Sequence, residues 1–202
     1  MIGLAKGFIR IVDGMNRAIG RAVMYGIFVM MAILLWSSVS KTFFLPSHWT
    51  LEMAQFAMVA YYMLGGPYTI QLGSNVRMDL LYGEWSDRKK AQIDAITVLF
   101  LIFYLVVLLW GGLSSTSYSI GDFKGEPISY IGAFFGSLLT SGPDAATAEL
   151  GRLERSPTAW RPYLWPIKSL MIIGIFLMLL QALSELLKDI LRLSGEEMGD
   201  KV

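Results

Sequence analysis

Nineteen consecutive positions, Ala22–Ser40, carry no charged side chain, and they follow directly on Arg17 and Arg21. Three more apolar runs come later in the chain. A helix needs about 20 predominantly apolar residues to cross the hydrocarbon core of a bilayer. A soluble domain has no use for so many long unbroken runs, so the chain is read as an all-α membrane protein. The runs predict four transmembrane helices at about 22–40, 49–72, 93–120 and 163–183. The first run is longer than the 7–15-residue core of a signal peptide and is read as a retained anchor.

The segments between the runs have their own patterns. In residues 1–21, Lys6, Arg10, Asp13, Arg17 and Arg21 recur at helical steps, and Leu4, Phe8, Ile11, Met15 and Ile19 form an opposing apolar stripe. This predicts an amphipathic helix lying in the membrane interface. Met78, Leu81, Tyr82 and Trp85 predict a second, shorter interfacial helix. Residues 121–162 read as an expanded outer, periplasmic loop. Within it Ile128–Thr140 is apolar but too short to span and reads as a re-entrant or surface helix, and Asp144–Arg155 reads as a short surface helix. Residues 184–202 form a charged cytoplasmic tail.

Lys and Arg set the orientation. The N-terminal segment, the 73–94 loop and the tail hold 11 basic residues: Lys6, Arg10, Arg17, Arg21, Arg77, Arg88, Lys89, Lys90, Lys188, Arg192 and Lys201. The other side holds 5 over a longer stretch: Lys41, Lys124, Arg152, Arg155 and Arg161. This bias predicts that both termini are cytoplasmic.

Composition removes several functions. A net charge of +1 gives no case for nucleic-acid binding. With no cysteine and a single histidine, His48, the chain cannot build a thiolate site, a His-cluster metal centre or a bis-histidine haem. A Ser–His pair would have one possible base, in a loop without a motif. The expectation is a non-enzyme with no cofactor of its own. Two ionisable groups fall inside predicted spans, Glu52 near the start of the second and Lys168 near the start of the fourth. They are expected to pair across the two helices. Trp160, with Trp36, Trp49, Trp110 and Trp165, falls near a predicted span end, where tryptophan anchors at the interface.

Short motifs then add a resemblance. Trp49-Thr50-Leu51-Glu52 opens the second span. Gly65-Gly66-Pro67-Tyr68 precedes Asn75-Val76-Arg77-Met78-Asp79, with Asn75 where a histidine is usual. Ser156-Pro157-Thr158-Ala159-Trp160-Arg161-Pro162 and Trp165-Pro166-Ile167-Lys168 lead into the last span. In order and placement these resemble the small membrane subunit of tripartite ATP-independent periplasmic (TRAP) transporters, the DctQ-like family, and its mannitol or chloroaromatic branch. Residues 121–155 fall outside the likeness. The resemblance implies a scaffold subunit beside a large DctM-like permease subunit that holds the substrate and sodium sites, with a periplasmic binding protein delivering an organic acid. It implies no catalytic, cofactor or metal residues in this chain, and makes Glu52, Arg77, Asp79, Trp160 and Lys168 structural or interface candidates. The competing reading is a non-catalytic anchor or assembly subunit of another inner-membrane complex.

Overall fold

The computed structural model describes residues 2–73, 87–123, 125–142, 144 and 150–193. Its regular structure is helical: α1 (Ile2–Met24), α2 (Gly26–Phe43), α3 (Thr50–Gln71), α4 (Asp87–Ile120), α5 (Pro127–Ser141) and α6 (Trp165–Leu193). The N–H of Tyr25, between α1 and α2, reaches Ala22 O at 3.3 Å. Three stretches among the described residues are long and apolar enough to cross a membrane: Gly3–Phe43, Gln92–Ile120 and Trp165–Leu193. The expected second crossing, α3, has 22 residues, but Glu52, Gln55 and its tyrosines and glycines dilute its hydropathy. The structure therefore gives three clear crossing candidates where the sequence reading expected four.

One further expectation is corrected. Residues 150–155 are not helical; they run as an irregular segment that makes an isolated bridge from Arg155 to Tyr163. The last helix runs on past the expected span end near 183 to Leu193, so the first half of the expected tail is helical. Asn75, Arg77 and Asp79, and the interfacial helix expected around Trp85, lie outside the described residues.

Packing divides the chain into two compact units. One comprises Met1–Gly26, Tyr61–Val107 and Gly174–Val202; the other comprises Ile27–Ala60 and Leu108–Ile173. Burial is inverted relative to a water-soluble protein. Phe100, Phe103, Val107 and Trp110 of α4 are exposed, whereas Asn16, Thr50, Glu52, Ser119, Gln181 and Ser184 are almost fully buried. Apolar side chains facing lipid tails lose nothing, while polar groups must find partners inside the protein.

In the first unit, α1 packs with its Ile9, Val12, Asn16 and Gly20 face. The stripe read as its anchoring face is largely free of protein neighbours, with Leu4 82% and Ile11 72% exposed, as a face turned to lipid would be. Tyr68 of α3 occupies the space a side chain at Gly20 would need. A second close approach joins α3 to α6. Pro67 has no N–H for the carbonyl of Met63 one turn back. Gly174 lies against that carbonyl, so a Cβ there would sit 2.7 Å from Met63 O and from Met63 Cβ. The missing side chain lets the helices meet at the one carbonyl that the proline frees.

Candidate functional site

The buried polar residues form one cluster in each unit. In the first, they join α1 to α6. The apolar run of α6 ends in Gln181, Ser184, Glu185 and Lys188, spaced three or four apart and so on one face. On α1, Asp13 and Asn16 share a face for the same reason. Asn16 Nδ2 donates to Gln181 Oε1 at 2.7 Å. The Asp13 carboxylate accepts from Gln181 Nε2 at 3.0 Å and from Ser184 Oγ at 2.9 Å, and it pairs with Lys188 Nζ at 2.7 Å. Glu185 takes a second bond from Lys188 at 2.6 Å. Gln71 Nε2, at the end of α3, donates to Asp13 O at 3.3 Å. Asp13 thus belongs to a buried joint, not to a solvated charged face. Hydrogen bonds to charged groups contribute about 1.5–3 kcal/mol each.

In the second unit, the polar cluster surrounds the C-terminal end of α4. The last carbonyls of a helix have no partner within it and carry its negative dipole end. Here they are met from outside. Gly151 N–H donates to Ile120 O at 3.1 Å and Glu154 N–H to Ser119 O at 2.9 Å. About one turn before these, Lys168 Nζ adds a bond at 3.2 Å to Ser115 O, a carbonyl that lies within the helical ladder. Gly121, at φ +112°, turns the chain where Gly151 crosses it so closely that neither position has room for a side chain.

Lys168 and Glu52 both belong to this cluster, but they do not pair with each other. Lys168 Nζ binds Glu154 Oε2 at 2.6 Å. Glu52, only 4% exposed, accepts a hydrogen bond from Ser156 Oγ at 3.3 Å. Two residues of one loop segment, Glu154 and Ser156, take the partners the sequence reading assigned to each other. The physical reason is reach: the loop folds back onto the helix ends and delivers a carboxylate to the lysine. Nearby, Ser37, Ser47 and Thr50 link α2 to α3 through hydroxyl contacts of 3.1 Å, and Ser40 contacts Ser47 at the same distance. Trp160 is 41% exposed.

Asn16, Gln181 and Glu154 were not singled out from the sequence, and Asp13 was read only as part of the charged face of the first helix. A signal was present in two of them: Asp13 and Asn16 are three apart on a helix that precedes an apolar run. Its meaning depended on a partner 165 residues away.

Among the described residues, no group of three His, Cys, Asp or Glu side chains could hold a metal ion. The polar groups bond to one another and to helix ends, and they position no nucleophile against a base. The arrangement is that of a helical membrane protein whose buried polar groups act as joints. The sequence model of the family described as "Tripartite ATP-independent periplasmic transporters, DctQ component" matches residues 30–192, and the chain belongs to that family. It is the small permease subunit of a TRAP transporter. No curated protein and no solved structure matches it.

Proposed function

We propose that this chain is the fixed frame of a sodium-coupled TRAP importer of an organic acid. It sits in the bacterial inner membrane beside a large DctM-like subunit that carries the substrate and sodium sites, and a periplasmic binding protein supplies the acid. The family match supports the assembly. The buried joints support the role of a frame, because a carrier domain can move only relative to something held rigid. The Asp13–Lys188–Gln181 joint and the clasp around the end of α4 carry this reading: both commit polar groups to structural bonds.

The topology we propose has four crossings and cytoplasmic termini. The 22 residues of α3 rise about 33 Å, enough for the hydrocarbon core. The basic bias of the sequence supports the orientation. Arg77 and Asp79 serve assembly, within the chain or against the large subunit.

Reconstitution tests the proposal. The chain alone in vesicles should give no sodium-dependent uptake of organic acids. Addition of the large subunit and the binding protein should restore it. Uptake by this chain alone, or a changed substrate preference in Arg77→Ala, would overturn the frame role.

A further inference from the structure

We infer that the groove lined by Arg152, Arg155 and Arg161 binds the phosphodiester headgroup of an acidic membrane lipid. The groove is partly open and has a volume of about 790 Å³. Its walls combine these three arginines with Tyr118, Phe123 and Tyr163.

Charge supports an anion. Among the described residues, neither Arg152 nor Arg161 has a carboxylate partner. The carboxylate on the groove wall, Glu154, is already bound to Lys168 at 2.6 Å. Net positive charge therefore faces the cavity. A guanidinium presents a planar fork of donors that matches phosphate oxygens.

The arginines are also positioned. The Arg155 guanidinium lies 4.4 Å from the centroid of the Tyr163 ring and bonds to the Tyr163 hydroxyl. Arg161 holds φ at +50°, an uncommon conformation for a residue other than glycine. Bonds on either side fix it there: Ser156 N–H donates to Pro162 O at 2.9 Å, and Leu164 N–H to Glu154 O at 3.2 Å. Backbone held in such a region against its preference concentrates at ligand clamps.

Location selects a lipid over other anions. Tyr118 lies in the last turn of α4, and Tyr163 lies just before α6 begins at Trp165. Both helices are long and apolar enough to cross the membrane, so the groove sits where they leave the hydrocarbon. Phe123 is 65% and Tyr118 53% exposed, and their rings meet edge to face at 5.3 Å. Exposed aromatics beside unpaired arginines suit a surface that holds a headgroup and the first part of its chains. The inference rests on membrane crossing alone and stands whichever transporter the chain serves.

The test uses the full-length protein in phosphatidylcholine nanodiscs containing traces of photoactivatable phosphatidylglycerol. Cross-links should map to residues 118–123 and 151–163, and a phosphatidylcholine probe should label them far less. Arg152→Gln and Arg161→Gln should each lower labelling about fivefold, as expected for losing one arginine near a lipid surface. Arg161→Lys, which keeps the charge but loses the fork, should fall between. Equal labelling by both lipids, or cross-links confined to other basic segments, would overturn the inference. So would displacement by excess inorganic phosphate, which would mark a free-anion site. Loss of labelling when the protein is purified with its partner proteins would assign the groove to a protein surface instead. The wild-type maps decide the matter even where a variant fails to fold.

Discussion

Asn16 and Gln181 lie 165 residues apart in sequence, yet Asn16 Nδ2 donates to Gln181 Oε1 at 2.7 Å with both side chains almost wholly buried. The bond fastens α1 to α6. Gln181 also reaches Asp13 and Glu185, so it is the centre of the joint.

The single change Gln181→Ala should therefore be costly. It orphans a buried amide on Asn16 and removes one donor from Asp13. Each buried group left without a partner costs about 1–3 kcal/mol. Thermal unfolding in detergent should show a clear loss. The double change Asn16→Leu with Gln181→Leu should recover much of it, since replacing both partners by apolar groups removes the desolvation penalty. A double variant no better than the single one would refute the joint.

Lys168 gives a second test. Its bonds to Glu154 and to the Ser115 carbonyl predict that Lys168→Met and Glu154→Gln are strongly non-additive. Interaction energies between contacting residues run to about 0.5–3 kcal/mol. The corresponding cycle between Lys168 and Glu52 should give a smaller value, because the two share a loop segment but no bond. Measured coupling in the opposite order would restore the direct pair expected from the sequence.

Two glycines in the helices should respond in opposite ways. Gly174→Ala drives a Cβ into the Met63 carbonyl, and the backbone must shift; overpacking of this kind costs about 1–3 kcal/mol. Gly65 has no neighbour within 4 Å of where a Cβ would lie. Gly65→Ala should leave stability unchanged or raise it by up to about 1 kcal/mol, through helix propensity. Melting of both variants under one condition decides whether the contact at Gly174 is as close as described.

Topology is open to reporter fusions. Fusions after Leu45, after Glu84, after Glu149 and at Val202 should read outside, inside, outside and inside. A cytoplasmic signal after Glu149 would remove α3 from the set of crossings.

The apolar runs were legible because lipid imposes a length and a composition that few other constraints share. Gly26–Phe43 and Thr50–Gln71 were readable as helices on that ground, and Pro127–Ser141 as an apolar helix too short to span. What escaped was partnership. Hydropathy marked Leu4, Ile11 and Met15 as the lipid-facing stripe of α1, and these are exposed; it gave no sign that Ile9, Val12 and Asn16, a face that mixes apolar and polar residues, make the protein contacts. Similarly, Glu52 and Lys168 were the two charges inside predicted spans, so pairing them was the shortest argument. Glu154 lay in a segment misread as helix, and a helix there would not have delivered its carboxylate to Lys168. Sequence pattern reports the solvent that each face meets. It does not report which of several carboxylates a loop will bring within reach.

The clasp around the end of α4 also sets an order of events during synthesis. Ser115 O is bound by Lys168, 53 residues further along the chain. At about 5–20 residues per second, the ribosome takes roughly 3–10 s to deliver that lysine. Throughout that interval the end of α4 lacks the lysine bond of its clasp. The second unit is therefore completed from behind, by α6. A chain cut short before α6 would leave the tip of α4 exposed to whatever quality control inspects unfinished membrane proteins.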